Sequence, residues 1–172
     1  MAESAFAVNV PEAEPYVGAL REQFDPSAKL GVPAHITVLY PFMSPEQITE
    51  TVLNRVRLAL SSAVAFSFCL VKIDRFPTAL YLAPEPAEPF IALTKGLVHQ
   101  FPDRLPYSGQ YDSIVPHLTV AQASEPEHRL AEAQLASRLP PNTGIKALCA
   151  EVVLIENSSG LWEHMHSFPL TA

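Results

Sequence analysis

The chain has 172 residues, 48% of them hydrophobic and 17% charged, and its formal net charge is −7. These values predict a single globular domain over residues 1–172 with a substantial core, and they exclude a disordered chain. Since no apolar run approaches the length of a membrane span and no basic stripe is present, we expect neither a membrane protein nor a binder of long nucleic acid.

The first part of the chain predicts strands that alternate with helices. A strand is expected over 4–10, a helix with prolines near its start over 11–25, and a second strand over 34–41. A second helix is expected over 44–63. Ser44 is its predicted N-cap, because a proline follows at once and a glutamine stands three residues on.

The rest of the chain continues in short elements. We predict a hairpin over 65–76 and 78–84, a helix over 88–101, a strand over 114–122, a helix over 125–139, and strand segments over 144–157 and 161–170. Each half therefore offers a strand, a helix and two further strands, which predicts two similar α+β lobes around a cleft.

Two of these strands carry the same pattern of histidine, apolar residue, threonine and apolar residue. His35 and Thr37 form the first copy, and His117 and Thr119 the second. Side chains two positions apart on a strand point to the same face, so each motif presents an imidazole and a hydroxyl together. Random shuffling of this composition gives only about 0.06 such tetrapeptides, so chance explains the pair poorly.

Paired imidazoles and hydroxyls suit the cleavage of a phosphodiester. A neutral imidazole can accept a proton from attacking water while a protonated one donates a proton to the leaving oxygen, and hydroxyls can bind the phosphate oxygens. This chemistry needs no metal or cofactor. Two other interpretations stay open: purely structural histidines, and a metal held by His35 and His117, although a catalytic metal usually has three protein ligands.

Three further residues are candidates for the site: Tyr107, Tyr111 and Arg75. Tyr107 and Tyr111 lie in a loop before the second motif and could stack on a base or pack into the protein. Arg75 could meet a phosphate, although an exposed strand end is also consistent with its position. Strand alternation places Tyr40 on the face opposite His35, which assigns Tyr40 to the core.

The remaining histidines predict no site. His164 and His166 share a strand face but lack a third ligand nearby, so we expect an exposed strand end. His99 ends a helix, where positive charge is favoured, and His128 is expected to be exposed in the first turn of a helix. The two cysteines, Cys69 and Cys149, and the lack of a recognisable signal peptide predict free thiols and a cytoplasmic location.

The duplicated motif resembles that of the two-histidine (2H) phosphoesterase superfamily. Within it, residues 24–42, 75–86 and 106–121 are similar to the bacterial 2′-5′ RNA ligase-like proteins. The resemblance implies a bilobal α+β fold with outer helices, in which two antiparallel sheets flank a cleft and each lobe supplies one motif.

The resemblance also implies a function without cofactors. This function is the metal-independent opening of 2′,3′-cyclic phosphates to 2′-phosphates on a small nucleotide or an RNA terminus. Ligation of 2′-5′ RNA would be the reverse of such a cleavage reaction. His117 is favoured as the base, His35 as the acid, and Thr37 and Thr119 as phosphate ligands. We expect a monomer with no obligate protein partner. A nucleotide-binding module without turnover is the alternative function.

Overall fold

Two four-stranded antiparallel sheets form the framework of the computed structural model, which describes residues 1–172. In chain order the strands are β1 Ser4–Asn9, β2 His35–Leu39, β3 Phe66–Phe76, β4 Ala79–Glu85, β5 Leu118–Ala121, β6 Ile145–Cys149, β7 Glu151–Glu156 and β8 Glu163–Pro169. The strand order is β2-β1-β7-β8 in the first sheet and β5-β4-β3-β6 in the second. The predicted α+β fold with two antiparallel sheets is confirmed.

Five helices lie outside the sheets. They are α1 Glu14–Phe24, the short α2 Pro26–Lys29, α3 Glu50–Leu60, α4 Glu88–Gln100 and α5 Glu125–Arg138, and 3₁₀ turns occur at Pro11–Ala13, Pro45–Gln47 and Pro106–Gly109. None of the helices combines the length and the apolar character needed to cross a lipid bilayer.

The two halves of the chain exchange helices. Helix α1 follows the first strand but packs against β5 of the second sheet, and α4 follows β4 but packs against β2 of the first sheet. One cluster of buried side chains consequently includes residues from both sheets, such as Phe6 and Leu82. This exchange holds β2 and β5 in fixed positions.

The start of α3 differs from the sequence-based prediction. Residues Pro45–Gln47 form a separate 3₁₀ turn, and the helix begins at Glu50. The N-cap is Thr49, whose backbone is extended and whose side chain accepts the Val52 N–H at 3.4 Å, whereas Ser44 makes no capping bond. Ser44 and Thr49 both have side chains that can cap a helix. Pro45 begins only the short 3₁₀ turn, so the helix itself is capped by Thr49.

Three further predictions need correction. The strand predicted over 114–122 is limited to Leu118–Ala121, so His117 directly precedes it. The segment over 144–157 divides at Ala150 into β6 and β7, which belong to different sheets. His128 is 3% exposed rather than exposed, because α5 packs this side of its first turn against the protein.

Candidate active site between the two motif strands

Both motifs lie on edge strands that face each other. Strand β2 ends the first sheet, β5 ends the second, and the two strands are in contact. In each strand the register against its neighbour shifts by one residue directly after the motif threonine, at Val38 and at Val120. Such bulges redirect the side chains around them, and here they occur at equivalent points of the two lobes.

The two imidazoles are held in the same way. His35 Nδ1 lies 2.8 Å from the carbonyl oxygen of Pro33, and His117 Nδ1 lies 2.7 Å from that of Val115. Because a carbonyl oxygen can only accept, Nδ1 carries the proton in both rings. In the neutral ring Nε2 is then free to accept a proton, which is the arrangement that a general base requires.

The surroundings disfavour the charged form of both histidines. Burial lowers the pKa of His35 to about 4, and the positive charges of Arg21 and His117 act in the same direction, while Pro33 and Asp25 oppose the shift. Burial also lowers the pKa of His117, against the hydrogen bond to Val115. A positive charge on His117 thus disfavours a second positive charge on His35.

A buried ionic network on α1 fixes the segment that leads to His35. The guanidinium of Arg21 donates to Asp25 Oδ2 at 3.1 Å, to Val32 O at 3.0 Å and to Ser27 Oγ at 3.1 Å. Arg21 and Asp25 are 2% and 1% exposed, so the pair is shielded from water. Glu14 completes the anchoring because its carboxylate accepts the backbone N–H of Ala34 at 2.6 Å.

Aromatic side chains fix the second histidine instead. The His117 ring centroid lies 5.0 Å from that of Phe76, with the planes at 88°, and 5.4 Å from that of Tyr81. Phe76 and Tyr81 are themselves stacked at 4.4 Å. The second lobe thus positions its imidazole by packing, whereas the first uses hydrogen bonds and charge.

A cavity of about 770 Å³ opens beside the motif strands. Five of the predicted site residues contribute to its wall: Thr37, His117, Thr119, Tyr107 and Tyr111. Two do not. His35 lies next to the wall, on the same strand as Thr37, and the guanidinium of Arg75 is paired with Glu132 of α5.

The loop with the two predicted tyrosines bends sharply at the cavity. Tyr107 and Ser108 have φ angles of 50° and 55°, in the left-handed region that side-chain-bearing residues rarely adopt. A hydrogen bond from Tyr107 N–H to the Tyr40 carbonyl, 2.6 Å long, supports this conformation. Burial raises the pKa of Tyr107 and the adjacent Thr37 side chain opposes that shift, so the phenol remains neutral beside the motif.

Tyr40 lines the cavity, contrary to its predicted place in the core. The bulge at Val38 breaks the strand alternation, and Tyr40 is half-buried on the cavity wall instead of in the core. Its hydroxyl donates to Glu3 at 2.9 Å, and burial together with Glu3 raises the pKa of Tyr40 to about 12. Its ring lies 6.3 Å from that of Tyr107, which also lines the cavity, and 6.2 Å from that of Trp162.

Thr94 was missed as well. It belongs to α4, is 2% exposed, and donates from its hydroxyl to the Val38 carbonyl at 2.7 Å. This bond joins α4, from the second half of the chain, to β2, which carries the first motif. A threonine inside an amphipathic helix gives no sequence signal for such a role.

Elsewhere the histidines and cysteines do not form a cluster. His164 lies on β8 and its Nε2 contacts Ser167 Oγ at 2.7 Å. No three or more His, Cys, Asp or Glu side chains come together in a metal-binding arrangement. Cys69 and Cys149 are both free thiols.

Comparison with known families gives a clear match. The family model described as the 2′-5′ RNA ligase superfamily matches residues 10–161. The chain belongs to the 2′-5′ RNA ligase superfamily. This membership confirms the resemblance to the two-histidine phosphoesterases, and it supports an enzyme of the phosphoesterase and 2′-5′ RNA ligase-like class.

Individual relatives agree with this superfamily membership. A Bacillus cytotoxicus protein named "Putative phosphoesterase Bcer98_0945" is 32% identical over 113 residues, a match that spans 63% of the chain and 63% of that relative. The match therefore covers less than two thirds of that protein's length.

Solved structures show the same fold. Escherichia coli LigT complexed with 3′-AMP aligns over 99% of this chain and 98% of that chain, with a TM-score of 0.64 and 20% identity. TT0787 of Thermus thermophilus aligns over 98% and 97% respectively, with a TM-score of 0.61 and 19% identity. LigT has also been solved in complexes with NADP+ and with ATP.

Proposed function

We propose that the protein is a metal-independent phosphodiesterase that opens 2′,3′-cyclic phosphates to 2′-phosphates. The observation that carries the proposal is the matched pair of histidines, each with Nδ1 bonded to a backbone carbonyl and Nε2 left free for proton transfer. Superfamily membership and the nucleotide complexes of LigT, which include 3′-AMP, support a small nucleotide as substrate.

In the proposed reaction, water attacks the phosphorus of the cyclic diester. The new bond joins the water oxygen to phosphorus, and the bond between phosphorus and O3′ breaks. Nε2 of the base histidine accepts the proton from water, and Nε2 of the acid histidine protonates O3′. The hydroxyls of Thr37 and Thr119 donate to the non-bridging oxygens, where negative charge increases in the transition state.

The sequence favours His117 as the base and His35 as the acid, and we retain this assignment as part of the proposal. It requires that His35 be protonated when the substrate is bound. Since burial and neighbouring positive charge lower the pKa of His35 to about 4 in the free protein, the anionic phosphate must raise it on binding. Binding of the substrate would then prepare the acid.

The test is chromatography of the four nucleoside 2′,3′-cyclic phosphates after incubation with enzyme, in the presence and in the absence of EDTA, with 2′- and 3′-phosphates resolved. The double variant His35→Ala/His117→Ala is the negative control. We expect a 2′-phosphate from the unmodified enzyme alone. A product that disappears with EDTA would support the metal-dependent alternative, and tight nucleotide binding without product would support the binding module.

A further inference from the structure

The cavity wall has an unusual distribution of charge for a phosphate site. Its ionisable side chains are His117, Asp112 and the three tyrosines at positions 40, 107 and 111. Burial keeps His117 and the Tyr40 and Tyr107 phenols in their neutral forms, because it lowers the histidine pKa and raises both tyrosine pKa values. Asp112 is exposed, so a carboxylate supplies the full charge on this wall at neutral pH.

The surroundings reinforce this negative field. The chain carries 18 acidic residues against 11 Lys and Arg, and Glu3 lies directly behind Tyr40. No Lys or Arg lines the cavity, and Arg21, which acts on His35, is buried and paired with Asp25. A phosphate in the cavity is therefore bound through hydroxyls and an imidazole that becomes protonated on binding, a set of groups suited to one negative charge.

Asp112 lies at the mouth of the cavity. It follows Tyr111, which is 68% exposed, and both residues line the cavity, so together they form part of its mouth. A nucleoside whose cyclic phosphate lies between the motif strands would direct its other end towards this mouth. A 5′-hydroxyl can donate a hydrogen bond to a carboxylate, whereas a 5′-phosphate is repelled by it.

Resting on the proposed function, we infer that the cavity selects nucleoside 2′,3′-cyclic monophosphates with a free 5′-hydroxyl, and that Asp112 is the residue that rejects a second phosphate. The expected substrates are therefore mononucleotides rather than cyclic phosphates in general. Substrates that continue into a phosphodiester chain or carry a 5′-phosphate would react more slowly.

The experiment compares kcat/KM for adenosine 2′,3′-cyclic phosphate with and without a 5′-phosphate, in 20 mM and 500 mM NaCl. For the unmodified enzyme we expect a roughly ten-fold preference for the 5′-hydroxyl at low salt, which decreases at high salt because the repulsion is screened. Asp112→Asn should lower the preference to about two-fold. Asp103→Asn, which removes an exposed carboxylate outside the cavity wall, should leave it unchanged.

Binding measurements distinguish a failure of charge selection from a failure of the proposed reaction. The Kd values of adenosine 2′-phosphate and adenosine 2′,5′-bisphosphate are measured by calorimetry for the same three proteins. If no substrate is turned over but the bisphosphate binds more weakly in an Asp112-dependent manner, the reaction is wrong and the charge selection holds. Equal preferences in the unmodified protein and Asp112→Asn, by rate and by Kd, would overturn the inference.

Discussion

The two lobes present the same motif but support it by different physical means. Both histidines bond through Nδ1 to a carbonyl two residues earlier, and both strands carry a bulge after the threonine. A buried ionic network centred on Arg21 supports His35, while His117 packs against Phe76 and Tyr81. The hydrogen-bond geometry of the two imidazoles is therefore duplicated, whereas their electrostatic environments differ.

The largest expected effect is the loss of activity on replacing either motif histidine, and it shows whether both lobes take part in the reaction. His35→Ala and His117→Ala should each reduce kcat by roughly 10³-fold, because each removes one proton-transfer step. The double variant should lose little more than either single variant, since the two groups act as one unit. Steady-state rates with a cyclic mononucleotide measure this. His99→Ala, an exposed histidine on α4, should retain full activity.

A second comparison sets the buried arginine pair of the first lobe against the exposed pair of the second. Arg21→Met leaves the Asp25 carboxylate buried without its partner and should lower the free energy of unfolding by about 3 kcal/mol. Arg75→Met breaks a pair whose side chains are 47% and 34% exposed, and should cost less than about 1 kcal/mol. Urea denaturation gives both values. Equal losses would show that burial does not distinguish the pairs.

The activities of Arg21→Met and Arg75→Met give a second comparison of the two ion pairs. At temperatures where the folded state dominates, Arg21→Met should lower kcat and shift its pH dependence, because the charge that lowers the His35 pKa has gone and the segment before His35 is less restrained. The conservative Arg21→Lys should restore part of both. Arg75→Met tests the sequence-based prediction that Arg75 binds phosphate: an unchanged KM would contradict it.

The threonines provide a smaller, more symmetric comparison. Thr37→Val and Thr119→Val each remove one hydroxyl donor and should lower kcat/KM by about 10-fold to 100-fold, less than the loss of a histidine. Thr37 should show the larger effect on binding because it neighbours Tyr107, which lies at the edge of the cavity. Identical effects on kcat and KM in the two variants would indicate that the lobes bind the phosphate equivalently.

The smallest expected effect is the pH dependence. In the free protein burial lowers the pKa of both histidines, so kcat/KM should increase as the pH falls below 7 and a growing fraction of His35, whose pKa is about 4, becomes protonated. Stability should change in the opposite sense. Unfolded histidine titrates near pH 6.5 and His35 near 4, so the unfolded chain binds more protons in this window and stability is lost on acidification.

Urea titrations between pH 4 and 7 measure the stability effect, which should be on the order of 1 kcal/mol for a partly exposed ring. His35→Asn should flatten the dependence, and His99→Asn should leave it unchanged. A dependence that survives in His35→Asn would assign the linkage to another group, with His117 the first candidate.

Much of the fold was readable from local patterns. Each predicted strand and helix overlaps one in the structure, because apolar periodicity and proline positions act over a few residues. Errors occurred where tertiary contacts decide. The segment over 144–157 supplies strands to two different sheets, and the packing of α5 buries His128; the cap of α3, by contrast, shifts from Ser44 to Thr49 through the local 3₁₀ turn at Pro45–Gln47.

Local sequence predicts which imidazoles and hydroxyls share a face, since each His-apolar-Thr-apolar motif separates the two side chains by two positions of extended chain. Only the tertiary structure decided what surrounds them. The bulge at Val38 brought Tyr40 to the cavity, the exchange of α1 and α4 placed Arg21 behind His35 and Thr94 against β2, and a left-handed turn set Tyr107 beside Thr37. These contacts join residues distant in the chain, and local propensity carries no information about them.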